Sequence, residues 1–184
     1  MDFRHIVKSI ANLVSQTNLP VCVKETGCGI SAADARMLKD AGVRYVETAG
    51  AGGTSWVGVE TLRASGAQAE MGEILWDWGI PTAVSTVWCA NAGLDVVAGG
   101  GIRTGLDVAR ALGLGAKMAG IAAPLVSRLI VEETAEVETY LRGIINTLRA
   151  VMLLVGVTTP VDLMNVPKVI GPDLQAYIQA SLTR

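Results

Sequence analysis

What this chain has little of narrows it first. Of its 184 residues one is a histidine, and three are cysteines. His5 falls in the first helical stretch, so a histidine base from the loops is excluded. Cys22, Cys28 and Cys89 are odd in number and lack metal-ligand spacing. They read as buried or incidental thiols and suit a reducing compartment, so a cytoplasmic setting is expected. Charged residues make up only 17% and sum to a net charge of −2. With no basic patch, nucleic acid is not an expected partner. No apolar run reaches the length of a membrane span: Val151 to Val157 is short and follows Arg149. Met1-Asp2-Phe3-Arg4 is unlike a signal peptide. Internal repeats, linkers and low-complexity segments are also lacking. A complete (β/α)8 barrel needs about 250 residues, more than this chain has, although its length and its 51% hydrophobic content suffice for one domain with a real core.

What is present is an alternation of short apolar runs with helical patterns. Phe3 to Ser15 carries apolar residues at helical spacing, and Val21 to Glu25 reads as a strand. Ser31 with Asp34 is an acidic variant of the capping box, opening a helix that Gly42 ends. Arg44 to Thr48 is the next strand, followed by a glycine-rich loop, Gly50 to Trp56. Glu60 to Leu75 mixes loop and helix. Pro81 to Val84, Leu94 to Val97 and Lys117 to Ala122 complete five expected strands. Beyond Pro124 the pattern is helical only, from about Glu132 through Leu154 and again near the C-terminus. Short apolar strands with helical crossovers predict a parallel sheet in a single α/β domain.

Chemistry concentrates at the expected C-terminal ends of the strands. Ala98-Gly99-Gly100-Gly101-Ile102-Arg103-Thr104-Gly105 joins a strand to a helix. Backbone without side chains, facing a helix N-terminus, is a place for an anion. In (β/α)8 barrels the last two βα loops commonly hold a phosphate, and here the second such loop would contain Ala122 and Ala123. Lys24 alternates with Val21 and Val23, so it faces the inside of a barrel, where it needs an anion or a polar ligand. The loop from Ala49 to Trp56 offers three glycines, the Thr54 hydroxyl and the flat Trp56 side chain. Glu25, Glu47 and Asp77 are possible acids or bases, although Glu25 points outward by alternation and Asp77 is placed to end a helix.

Taken together these residues resemble the type 2 isopentenyl-diphosphate isomerase family. The resemblance rests on Val23-Lys24-Glu25-Thr26-Gly27 with Gly29-Ile30-Ser31, and on the Ala49 to Trp56 loop. It continues through Asp77-Trp78-Gly79-Ile80-Pro81-Thr82-Ala83, Gly100 to Gly105, and Leu148 to Gly156. It implies part of a TIM (β/α)8 barrel that binds FMN. The family interconverts isopentenyl and dimethylallyl diphosphate with reduced flavin, Mg2+ and NADPH, without net redox change. By resemblance Lys24 is catalytic and lies by the flavin ring, with Thr26 near it. Thr54, Gly100, Gly101, Ile102, Arg103, Ala122 and Ala123 contact FMN, chiefly its phosphate, and Trp56 lines the substrate pocket. Gly99 stands where many members carry serine. The resemblance also implies that barrel strands one to three are missing, with the diphosphate anchors and the Mg2+ glutamate, so no metal ligand is expected in this chain. A C-terminal part of the barrel, inactive alone, and a homo-oligomer are expected.

Two other classes stay open. An α-hydroxy-acid oxidase would need a histidine base near an arginine, and an inosine monophosphate dehydrogenase relative would need a nucleophilic cysteine loop; neither is found. A non-catalytic phosphate-binding remnant is the third reading.

Overall fold

The computed structural model describes residues 5–131 and 134–180. Its elements alternate as the sequence predicts. Helix α1 (Ile6–Gln16) leads to strand β1 (Cys22–Lys24), α2 (Ala32–Asp40) and β2 (Tyr45–Glu47). Two short helices follow, α3 (Trp56–Thr61) and α4 (Ala67–Ile74), then α5 (Thr82–Asn91) and β3 (Asp95–Ala98). Helix α6 (Gly105–Gly113), β4 (Met118–Ala119), α7 (Ala123–Val131), α8 (Thr134–Leu154), a 3-10 turn (Pro160–Asn165) and α9 (Pro172–Ala180) complete the order. Phe3 and Glu132, expected at the starts of two helices, lie outside the described residues.

The strands form one parallel sheet in sequence order, β1-β2-β3-β4. Facing residues run in rows: Val23, Val46 and Val96 form one, and Lys24, Glu47 and Val97 the next. Successive strands side by side, each followed by helix, is the curved-sheet arrangement of part of a (β/α)8 barrel.

The five expected strands are four. Pro81 to Val84 does not form a strand. Only an isolated bridge between Ala51 and Pro81 remains of it, and the helix α5 starts at once at Thr82. Helix α5 buries Val84, Ser85, Thr86, Val87 and Cys89, almost all of its circumference. A short apolar run with no polar face gives strand and helix the same signal, and here tertiary packing chose the helix.

One face of the sheet is covered. Val46, Val96 and Ala98 are fully buried against Ile30, Ala35, Leu38, Cys89, Ile102 and Ala111, with Val23 packed at the margin. Burial of each such valine is worth about 1.5–3 kcal/mol relative to exposure. The other face carries Lys24, Glu47, Val97 and Met118 and is open; Met118 is 63% exposed. A second cluster of Ala109, Leu112, Met152 and Leu163 fastens α6 to α8 and the 3-10 turn.

Local chemistry sets the ends of the elements. Ser31 caps α2 by accepting from the Asp34 N–H, and Gly42 follows the helix at φ 85°. Thr104 and Asp107 form a reciprocal capping box on α6. Buried Ser85 accepts from the Ile30 N–H at 2.8 Å and donates to the Ile30 carbonyl at 3.0 Å, tying α5 to the loop after β1.

Candidate functional site

A cleft of about 720 Å³ opens at the C-terminal ends of all four strands. Lys24, Thr26, Thr54, Trp56, Gly100, Gly101, Ile102, Arg103, Ala122 and Ala123 all line it. The sequence pointed to these ten positions from four separate segments, and the fold brings all ten together.

Each arrives by a definite route. Lys24 is the last residue of β1 and faces Glu47 on β2. Its Nζ donates to Glu47 Oε1 at 3.0 Å and to the Glu25 carbonyl at 3.0 Å. Lys24 remains 54% exposed while Glu47 is 26% exposed, so the ammonium stands at the cleft surface over a tucked carboxylate. Trp56 begins α3 and is 55% exposed; its ring lies beside Gly27, where an added Cβ would come within 3.1 Å of it. Thr26 and Thr54 are exposed. Ile102 is buried in the core, so it offers the cleft backbone and anchors the loop with its side chain.

The glycines hold loop against loop as well as leaving room for a ligand. Gly101 adopts φ 79°, and a Cβ there would lie 2.5 Å from the Gly52 carbonyl oxygen. A Cβ on Gly50 would lie 2.5 Å from the backbone of Thr82. Arg103 staples the same loops: its guanidinium donates to the carbonyls of Gly101 at 2.8 Å and Gly52 at 3.1 Å. The Arg103 side chain is thus turned to its own loops.

The N-terminus of α6 carries its own carboxylate. Asp107 Oδ2 accepts from the N–H groups of Arg103 at 3.2 Å and Thr104 at 2.9 Å. Partial burial works against the charge. The Thr104 hydroxyl, those two N–H groups and the Arg110 guanidinium outweigh it, and the Asp107 pKa lies below its usual value. The Arg103 N–H is therefore engaged within the helix cap. Among the described residues no acceptor meets the N–H groups of Gly101 and Ile102, and both residues line the cleft together with Ala122 and with Ala123, which begins α7.

Other candidates divide. Glu47 lines the cleft. Glu25 is not turned outward: its Oε2 accepts from the N–H groups of Gly27, Cys28 and Gly29 at 2.6, 2.6 and 2.9 Å, so it shapes the loop beneath Lys24. Asp77 sits exposed in the turn after α4 and does not line the cleft. His5 precedes α1 and is also outside it. Burial pushes the thiol of buried Cys89 up to about 11, and it also raises those of exposed Cys22 and half-buried Cys28.

Sequence reasoning missed two hydroxyls. Buried Thr48 accepts from the Gly99 N–H at 3.2 Å, and Thr82 donates to the Gly100 carbonyl at 2.6 Å. Thr82 was hidden by the expected strand. The Thr104–Asp107 box was missed too, although its signal is present as a threonine followed three residues later by an acid.

The sequence model described as FMN-dependent dehydrogenase matches residues 2–166. An isopentenyl-diphosphate delta-isomerase of Methanothermobacter thermautotrophicus is 44% identical over 171 residues, covering 92% of this chain and 48% of that protein. One from Methanothrix thermoacetophila is 41% identical, covering 91% and 48%. One from Halobacterium salinarum is 38% identical, covering 97% and 51%. The chain thus spans about half the length of the curated relatives it matches. Among solved structures, mandelate oxidase with (S)-2-phenylpropionate superposes with a TM-score of 0.67 at 24% identity, covering 90% of this chain and 43% of that one. Mandelate oxidase with benzoyl-formic acid gives a TM-score of 0.65 at 22% identity, with the same coverage. These two likenesses concern the fold, which is part of a TIM barrel. By the match over residues 2–166, which takes in every strand and the whole lining of the cleft, the chain belongs to the FMN-dependent dehydrogenase family.

Proposed function

We propose that the cleft holds FMN, and that this chain is the C-terminal half of a barrel that interconverts isopentenyl and dimethylallyl diphosphate. The observation that carries the reading is the convergence of the ten positions on one cleft. The similarity to isomerases at 38–44% identity gives the reaction. The lining suits the cofactor: backbone at Gly101 and at Ile102, whose side chain is turned into the core, for a phosphate, a cation at Lys24, and apolar surface at Trp56, Ile121 and Pro124.

In this reading the Gly101 and Ile102 amides hold the phosphate from one side and Ala122–Ala123 from the other. Arg103 acts indirectly, by fixing the two glycine loops. Lys24 presents its ammonium to the flavin ring and stabilises negative charge on it. A preorganised charge of this kind is typically worth several kcal/mol in catalysis. Thr26 and Thr54 offer hydroxyls at the rim, and Trp56 borders the isoprenyl tail. Bound in reduced form, FMN supplies an electron-rich ring beside the substrate, with NADPH as the reductant.

Among the described residues no group of three or more His, Cys, Asp or Glu side chains could hold a metal ion. In this reading Mg2+ and the diphosphate anchors belong to the remaining part of the barrel. Self-association would cover the open sheet, and a cytoplasmic setting accords with the absence, among the described residues, of a helix able to cross a membrane.

The test is an FMN titration of the purified chain, followed by the flavin absorbance spectrum. Saturable binding that Gly101→Val abolishes is expected. A chain that leaves FMN's free-solution spectrum unchanged at millimolar concentration overturns the reading.

A further inference from the structure

Lys24 is a long side chain that is more than half exposed. Such a side chain carries about 2 kcal/mol of rotamer entropy, so a fixed ammonium needs an anchor. The strand register supplies one, because Lys24 and Glu47 face each other across β1 and β2. The Glu47 carboxylate reaches Lys24 only through space left free at position 99. A Cβ on Gly99 would lie 2.5 Å from Glu47 Oε1, 3.2 Å from Cδ and 3.3 Å from Cγ, and Glu47 supplies all three of its nearest neighbours. A Cβ on Gly120 would lie 3.5 Å from the same oxygen. Gly99 is not among the glycines with positive φ, so its backbone accepts an alanine. The reason for glycine at 99 is therefore the carboxylate, and not the turn.

We propose that Gly99 and Glu47 form a positioning pair, in which the missing side chain at 99 admits the Glu47 carboxylate and that carboxylate fixes the Lys24 ammonium over the cleft. Glu47 touches no ligand in this scheme and acts through Lys24. The consequence for flavin rests on the FMN reading above; the pair itself does not.

The discriminating variant is Gly99→Ala, which displaces the carboxylate without changing any charge. The first measurement needs no ligand. Carbon relaxation at Lys24 Cε is recorded by NMR, with its signal assigned through Lys24→Met. The wild-type side chain should be restricted, and Gly99→Ala and Glu47→Ala should each release it. A Lys24 as ordered in Gly99→Ala as in wild type overturns the proposal. The second measurement is the flavin midpoint potential of the FMN-loaded chain. Displacing the ammonium should weaken reduced relative to oxidised FMN about tenfold in Gly99→Ala, a shift of about 30 mV to more negative potential for a two-electron couple. Glu47→Gln keeps an acceptor and removes a negative charge, so its potential should hold or rise. Gly99→Ala combined with Glu47→Ala should match Glu47→Ala alone, because the three atoms nearest the alanine Cβ are then gone. A further drop in the double variant, or no shift in Gly99→Ala, refutes the pair. If wild type takes up no FMN, the FMN reading fails while the relaxation measurement still decides the positioning.

Discussion

Position 101 shows how little freedom single residues have here. Its φ of 79° suits glycine, and a Cβ would meet the Gly52 carbonyl at 2.5 Å. Gly101→Val therefore combines backbone strain of about 1–3 kcal/mol with separation of the two loops. It should lower the unfolding midpoint and abolish FMN retention in the titration. Arg103→Ala removes two donations to carbonyls at an exposed site. It should cost roughly 1 kcal/mol and weaken FMN retention less than Gly101→Val does. The reverse order would place the phosphate on the Arg103 side chain. Asp107 makes a prediction about pH. Its carboxyl titrates below the usual 3.8 in the folded chain. A depressed folded pKa gives stability that is fully present above the unfolded value and is lost as pH falls through the folded one. Asp107→Asn should thus cost roughly 1 kcal/mol near neutral pH and flatten the acid limb of the stability curve below pH ~4. Parallel curves for the two proteins in denaturant titrations across that range would contradict the assignment. Lys24→Met, in a reassembled barrel, should cut isomerisation by at least a hundredfold, the scale of a lost preorganised charge, while circular dichroism stays unchanged.

Elements were legible where local chemistry and periodicity agreed. Ser31 with Asp34 and Gly42 announce the two ends of α2, and the structure uses each one. The alternation that sets Val23 against Lys24 is also observed, with Val23 on the core and Lys24 over the cleft. The site was legible because its residues sit at strand ends, and strand order alone brings those ends to one rim. Two kinds of information were not local. Helix α5 is buried on nearly every side, with Ser85 and Thr86 among its buried residues, so it shows no polar face at helical spacing, and its packing against the sheet and α2 decides its form. The Lys24–Glu47 pair and the Thr48 and Thr82 rivets depend on register between segments more than 20 residues apart in the first case and 51 and 18 in the others. Helix α5 carries its own prediction. Ser85→Ala leaves the buried Ile30 N–H and carbonyl without their partner, which costs about 1–3 kcal/mol. Chemical denaturation should show that loss with an unchanged slope. A loss under 0.3 kcal/mol would mean that the α5–loop contact contributes packing only.

At the scale of the whole molecule the sheet is unfinished in two directions. Strand β1 pairs on one side with β2, strand β4 pairs on one side with β3, and among the described residues neither has a second partner. The face holding Lys24, Glu47, Val97 and Met118 is open at its edges, where Lys24 is 54% and Met118 63% exposed. Unpaired strand edges template association with another chain, and exposed apolar surface drives it. Leu129, Ile130 and Val131 on α7 and Leu153 and Leu154 on α8 add apolar surface, at 55, 78, 82, 80 and 84% exposure. A barrel closes with eight strands, and four are present. The relatives are about twice as long as the aligned chain. The four described strands leave such a barrel open, and in the proposed reading the remaining strands correspond to the part of the relatives' length that this chain does not span. The purified chain should elute as an associated species in size-exclusion chromatography and give no dimethylallyl diphosphate from isopentenyl diphosphate with FMN, NADPH and Mg2+. Co-expression with the N-terminal half of the Methanothermobacter thermautotrophicus isomerase should shift it to a defined complex of the two and restore turnover. Lys24→Met in that complex should leave assembly intact and remove the turnover. Robust product from this chain alone would place the diphosphate anchors within its own residues, and a stable monomer with a protected β1 edge in hydrogen exchange would show that the sheet needs no partner.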